Sequence, residues 1–246
     1  MKEKENEMIF GLRATMEAIE AGKEIEKILI RRELKGELYQ EFFTLVRKKD
    51  MPYQFVPGET LDRLTLKNHQ GVIAFISPIV YHDIAEITSS LLEQGKNPLF
   101  LILDKITDVR NFGAIARSAE CAGVDAIIIP EQGSARVGAD AIKTSAGALH
   151  TIPVCRHKNL IDVVMLLQQS GVRVVAATEK GSTPYFESDF KEPLAIILGS
   201  EDKGIEPRLL RMADELIQIP IKGRIASLNV SVAASLMVYE AVRQRG

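Results

Sequence analysis

The chain has 246 residues, 46% hydrophobic and 26% charged, ordinary proportions for a globular protein that exclude a chain disordered throughout. No apolar run approaches the roughly 18 residues of a membrane span, and the charged start from Met1 to Met8 has no apolar signal core behind it; a cytoplasmic protein with no membrane partner is expected. The net charge is −2, with 13 basic against 13 acidic residues in 1–80 and 17 against 17 in 97–246, so composition neither demands nor excludes a nucleic-acid partner.

In chain order, the spacing of Leu12, Met16 and Ile19 predicts a helix over Gly11 to Ala21, stopped by Gly22. Ile25–Ile30 reads as a short strand. Glu37 to Lys49 is amphipathic, with Leu38, Phe42, Leu45 and Val46 on one stripe. Tyr53–Val56 and Val72–Ser77 read as further strands, the latter apolar enough to be buried on both faces. Basic residues cluster at Lys23, Lys27, Arg31, Arg32 and Lys35, then at Arg47, Lys48 and Lys49. They alternate with glutamates, so a solvated helix face is at least as good a reading as a nucleic-acid patch. Pro78 ends the last strand, Tyr81 to Leu92 can be helical, and Gln94–Pro98 is a turn-rich connector. This divides the chain into an N-terminal domain (1–80), a linker (81–97) and a larger domain (98–246).

From Pro98 onward, strands and helices alternate. Strands are expected at Leu99–Leu103, Ala126–Ile129, Val172–Ala176, Leu194–Leu198 and Leu216–Ile219. Helices are expected at Ala114–Ala122, Leu160–Gln169, Pro207–Met212 and Asn229–Gln244. Short apolar strands between helices imply an α/β fold with a parallel sheet covered on both faces. Ligands then bind at the loops beyond the strand carboxyl ends. The two cysteines, Cys121 and Cys155, have no metal-ligand spacing and no disulfide framework; no metal is expected. Cys121, among Ala119, Ala122 and Gly123, reads as a small buried thiol.

Three strand ends carry residues that packing does not require. After the first, Asn111 precedes the predicted helix, where its side chain can cap free amides, and Arg117 stands alone among Ala114, Ala116 and Ala119. The plainer reading is a capped helix with one surface arginine. The second is Leu198-Gly199-Ser200-Glu201-Asp202-Lys203-Gly204, in which glycines allow close backbone approach and a left-handed turn. It is neither a Walker loop nor a GxGxxG fingerprint, which removes a nucleotide-dependent oxidoreductase; a charged turn is the plainer alternative. The third runs from Ile219 to Ser231, where Ser227, Asn229 and Ser231 surround an apolar pair in greater number than capping needs.

Asn111–Arg117, Leu198–Gly204 and Ile219–Gln244, which reads IPIKGRIASLNVSVAASLMVYEAVRQ, resemble the three motifs of the SpoU (TrmH) RNA 2′-O-ribose methyltransferases. The resemblance covers residues 98–246. More weakly, GLRATMEAI and NHQGVIAF resemble the ribosomal-protein-like RNA-binding domain of the 23S rRNA branch. It implies a SPOUT fold, a parallel sheet with a C-terminal trefoil knot, the family being an exception to the rule that chains do not knot. It also implies a homodimer, S-adenosylmethionine as cofactor, and methyl transfer to a guanosine ribose of 23S rRNA, with tRNA as an alternative substrate. Cofactor contacts carry over to Gly199, Ile219 and Leu228, with Thr178 along the same pocket. The catalytic set carries over to Asn111, Arg117, Glu201, Ser227 and Asn229. Two roles stay open for Arg117: the general base the family implies, or a phosphate clamp that stabilises a developing alkoxide, since arginine is effectively always protonated. Glu201 would orient Arg117 or the loop carrying Ser227 and Asn229. The chain departs from the family at Val109, where a proline is common, and adds Arg110 beside it. An idle RNA-binding or ribosome-assembly factor on the same scaffold would show eroded Arg117, Glu201 or Asn229, and all three are present.

Overall fold

The computed structural model describes residues 8–246; Met1–Glu7, most of the charged start, lie outside the described residues. The chain separates into two units, one running through Val80 and including Val137–Ala139, the other formed by Tyr81–Arg136 and Asp140–Gly246.

The first unit is a four-stranded sheet in the order β1-β4-β2-β3, built from β1 (Met8–Phe10), β2 (Ile25–Arg31), β3 (Tyr53–Val56) and β4 (Val72–Ile76). β4 is antiparallel to both its neighbours, and β2 runs parallel to β3. Alternation along the strands gives the sheet two apolar faces. Ile28, Ile30, Val72 and Ala74 pack with Leu12 and Ile19 of α1 (Leu12–Glu20) and with Phe42 and Val46 of α2 (Glu37–Lys48). Leu29, Ile73 and Phe75 meet Leu61 of α3 (Gly58–Leu64) on the other side. Complete burial of Phe42, Ile28 and Leu61 contributes roughly 1.5–3 kcal/mol for each side chain. The helices and strands expected here form at nearly their predicted limits. β1 and α3, which are short and weakly patterned, were not expected.

The second unit is an eight-stranded sheet in the order β10-β12-β9-β11-β6-β7-β8-β5, parallel at every pair. Its strands are β5 (Tyr81–His82), β6 (Leu99–Asp104), β7 (Ala126–Pro130), β8 (Val154–His157), β9 (Arg173–Ala177), β10 (Thr183–Pro184), β11 (Leu194–Gly199) and β12 (Glu215–Gln218). One face packs on α4 (Ile84–Glu93), α7 (Leu160–Gln169) and α8 (Pro207–Met212) through Phe100, Ile102, Val174 and Ile197. On the other, α5 (Val109–Cys121) and α9 (Val230–Arg245) lie against one another. A further short helix, α6 (Ala139–Thr144), precedes β8.

Four expectations need correction. Residues 81–97 are not a linker: β5 pairs with β8 as an edge strand and Ile84 joins the core of the second unit, while residues 94–98 form the expected turn between α4 and β6. α5 begins at Val109, earlier than Ala114, because the Asp108 carboxylate caps it by accepting from the Asn111 amide. Asn111 therefore lies inside the first turn and is not the cap. Val109 takes the first helical position, which proline also favours, so the departure from the family leaves the helix start intact. Cys121 is exposed, and the buried thiol is Cys155.

Candidate active site

The strands β9 and β11 end side by side, and each hands the chain to a short loop. After β11, Gly199 pairs in register with Asp104 of β6. A Cβ at Gly199 would stand 2.2 Å from the Gly204 carbonyl carbon, so only glycine fits where the loop folds back on its strand. The fold-back closes through Gly204 N donating to Ser200 O at 2.8 Å and Lys203 N donating to Ser200 Oγ at 3.3 Å. Gly204 has φ +65°, a conformation that costs other residues about 1–2 kcal/mol. The loop's exit is fastened by Asp104, whose Oδ2 accepts from Glu206 N at 2.7 Å. Burial pushes the Asp104 carboxyl above the usual carboxylate range. After β9, Thr178 donates its amide to Ile217 O at 2.8 Å, and its hydroxyl donates to Glu179 Oε2 at 3.1 Å.

These two loops and the segment that follows β12 enclose a cavity of about 440 Å³, within the range of small-molecule sites. Its walls include Thr178, Gly199, Glu201, Ile219, Ser227 and Leu228. All four residues carried over as cofactor contacts therefore line one pocket. Sequence reasoning missed other parts of the wall: Glu179, Lys203, Ile221, Ala226, Val230 and Ala233. Their signal was adjacency alone, since each lies one to four residues from a residue already singled out.

At one side of this cavity three side chains from three elements converge. Glu201 Oε1 accepts from Asn229 Nδ2 at 2.8 Å, from Asn111 Nδ2 at 3.2 Å and from the Val230 amide at 3.2 Å. Asn229 Nδ2 also donates to Asn111 Oδ1 at 3.0 Å. The orientation of the Asn229 amide is fixed from behind, because its Oδ1 accepts from Ser231 N at 2.9 Å and from Ser231 Oγ. As both donors to Oδ1 come from α9, the NH₂ group is left to face Glu201 and Asn111. One further hydroxyl pair joins the two helices, Ser235 Oγ donating to Ser118 Oγ at 2.8 Å. Glu201 thus bonds the amides of Asn229 and Asn111, and Arg117 is not among its partners. Arg117 stands exposed on α5, next to Ser118, with no hydrogen bond or ion pair among the described residues. Ser227 lines the cavity and is exposed.

A parallel sheet with a ligand-sized cavity and a polar cluster at its strand ends is an α/β fold with a candidate small-molecule site at its loops. The SpoU rRNA Methylase family model matches residues 98–239, and the model for RNA 2′-O ribose methyltransferase substrate binding matches residues 8–82. A relative from Staphylococcus saprophyticus, named as a TrmH family tRNA/rRNA methyltransferase, is 39% identical over 238 residues, covering 97% of this chain and 96% of its own. The AdoMet-bound rRNA methyltransferase from Sinorhizobium meliloti is a structural neighbour at TM-score 0.62 and 26% identity, covering 96% of this chain and 87% of its own. The A. aeolicus TrmH/SpoU tRNA modifying enzyme aligns at TM-score 0.56 and 27% identity, over 65% of this chain and 82% of its own. The chain belongs to the SpoU (TrmH) family of RNA 2′-O-ribose methyltransferases. Among the described residues no helix is long and apolar enough to cross a membrane, and no acid, histidine and cysteine group could hold a metal.

Proposed function

We propose that this RNA methyltransferase uses S-adenosylmethionine to methylate the ribose 2′-hydroxyl of a guanosine in the peptidyl-transferase region of 23S rRNA. The observation that carries the reading is the Asn111–Glu201–Asn229 cluster, whose shared acceptor Glu201 lines a ligand-sized cavity. The cavity suits the cofactor: Ile219, Leu228 and Val230 offer apolar surface to an adenine, and the glycine-flanked loop at Gly199 offers backbone to its polar parts. When bound, S-adenosylmethionine supplies an electrophilic methyl on a sulfonium.

What the chain's own residues contribute is alignment and charge. Holding the hydroxyl in line with the methyl can supply much of the barrier reduction. Asn111 and Asn229 are held by Glu201, which itself lines the cavity, so their amides are fixed behind its wall. Arg117, free of any other partner among the described residues, is the group that binds the neighbouring phosphate or stabilises the oxygen as it loses its proton.

The rRNA assignment is supported by coverage. The neighbour named for rRNA aligns with 96% of the chain, whereas the one named for tRNA aligns with 65%. Methylation of another rRNA position or of a tRNA is the second reading; the S. saprophyticus relative is named for both RNA classes. A homodimer belongs to the same proposal. Val232, Leu236, Tyr239 and Val242 make an apolar stripe along α9, each between 36% and 49% exposed, which a second copy of the chain would cover. So does a C-terminal trefoil knot. β11 lies between β9 and β6, β12 lies beyond β9, and α9 then returns to α5, an order that supports threading.

The test is transfer of labelled methyl from S-adenosylmethionine to 23S rRNA and tRNA transcripts, with mapping of the modified ribose. A 2′-O-methylguanosine in the peptidyl-transferase region is expected, and absence of transfer to any RNA overturns the reading. Arg117→Ala should lower turnover by at least a hundredfold, in line with loss of a charge stabiliser, while cofactor affinity by calorimetry stays unchanged. A large loss of cofactor binding would instead place Arg117 in the cofactor pocket.

A further inference from the structure

Four aromatic rings gather along the open edge of the N-terminal sheet, where β3 is the last strand. Tyr53 and Phe55 pair with Ile28 and Ile30 of β2, so they lie on the face that α2 covers. They reach past it and remain 39% and 38% exposed. Phe43 of α2 sits against both, with ring centroids 5.3 Å from Tyr53 and 5.8 Å from Phe55, and Tyr39 stacks on Phe43 at 5.7 Å. Phe42 and Val46 close the core beneath the same helix and Tyr39 and Phe43 pack against it, whereas Tyr53 and Phe55 are not part of it.

The stripe continues in sequence from Tyr39 through Phe43 to Arg47, each four residues on and hence neighbours along the helix. Lys48 and Lys49 follow at its end. All three cations are exposed, and none makes an ion pair among the described residues.

We propose that this edge is a stacking surface for unpaired nucleotides of the RNA substrate, with bases against Tyr53 and Phe55 and phosphates against Arg47, Lys48 and Lys49. The assignment rests on the RNA-methyltransferase reading above. It adds which face of the first unit holds RNA, and that the RNA is single-stranded there. Every base has a face that stacks on an aromatic ring, and unpaired bases can splay onto such a ring where bases in a duplex cannot. Lysine is depleted at protein interfaces, so uncompensated lysines at the end of the helix that carries Tyr39 and Phe43 favour a polyanion over a protein partner.

The experiment uses the full chain and fluorescence anisotropy with an unstructured single-stranded RNA and a fully paired duplex of equal length. Tyr53→Leu with Phe55→Leu keeps apolar bulk but removes the ring faces. It should weaken single-strand binding by roughly ten- to a hundredfold and leave duplex binding and the melting temperature unchanged. Replacing Arg47, Lys48 and Lys49 by glutamine, all solvent-facing and safe for folding, should flatten the slope of log affinity against log salt by about two. Wild-type single-strand affinity and salt slope in these variants overturn the proposal and leave the patch to a protein partner. Equal loss on the duplex also overturns it. If the wild-type chain methylates no RNA, the functional reading itself fails; if it does methylate while the variants bind as wild type, only the surface assignment fails.

Discussion

Glu201 and Asn229 meet at 2.8 Å across 28 residues of sequence, and the same carboxylate oxygen takes the Asn111 amide from the far side of the chain. One acceptor therefore sets the spacing of the β11 loop, the start of α9 and the first turn of α5. Each hydrogen bond to a carboxylate contributes roughly 1.5–3 kcal/mol when well shielded, and less here, where Glu201 is exposed.

That geometry predicts a graded response in which position matters more than affinity. Ser231→Ala removes the hydroxyl that helps hold the Asn229 amide while keeping the helix cap through the Ser231 amide. Turnover should fall about tenfold with little change in substrate KM, and Ser231→Thr should restore it. Glu201→Ala should cost more, at least a hundredfold in kcat, because both amides lose their common partner. A fall in melting temperature that tracks the loss of activity would make the network structural only.

The fold was legible where periodicity was strong. β6 is six consecutive buried residues, and a run such as Leu99–Leu103 can be little else when Pro98 precedes it and a helix follows. β5 and β10, with two residues each, hold their places by pairing with strands distant in sequence, which no local pattern encodes. The lack of apolar periodicity around Asp108 likewise hid the true start of α5. For the site, residue type at a strand end singled out Asn111, Glu201 and Asn229. It could not tell that Glu201 turns to the amides and not to Arg117, since that choice depends on how three loops converge. The exposure of Cys121 escaped for a related reason: small neighbours in sequence say little about which side of a helix is covered.

A second prediction concerns the loop at Gly199. Gly199→Ala forces a methyl to within 2.2 Å of Gly204 and 2.3 Å of the Ile205 nitrogen, and both obstacles are backbone that cannot swing away. The loop must open, so calorimetry should detect no cofactor binding by this variant. Gly204→Ala meets no atom within 4 Å but keeps a φ of +65°. It should lose only about 1–2 kcal/mol of stability and retain measurable cofactor affinity. Equal affinities in the two variants would show that the close approach at Gly199 does not shape the pocket.

The cysteines give a third. Burial pushes the Cys155 thiol up to about 12, leaving almost no thiolate at neutral pH, while Cys121 is exposed. Iodoacetamide at pH 8 should therefore label Cys121 alone in the folded chain and both residues after denaturation, as read by peptide mass spectrometry. Labelling of Cys155 at a comparable rate under native conditions would mean that the sheet opens there.

A last prediction follows from Glu215, whose Oε2 accepts from Ser188 Oγ at 2.6 Å and from Arg173 Nη2 at 2.5 Å. Burial works to raise its carboxyl, but the hydrogen bonds from Ser188 and Thr183 and the Arg173 charge outweigh it, holding the group below the usual carboxylate range. A carboxylate with a depressed pKa in the folded state binds fewer protons there than when unfolded. Its stabilisation is therefore complete above the unfolded value of about 4.3 and is lost as pH falls toward the lower folded value. Urea melts of the wild type and Glu215→Gln should differ most near pH 7, by about 1 kcal/mol. The gap should narrow steadily below pH 4 as the wild-type carboxylate takes up its proton. A difference that stays constant across that range would mean that the ion pair with Arg173 contributes nothing and that the variant acts through packing alone.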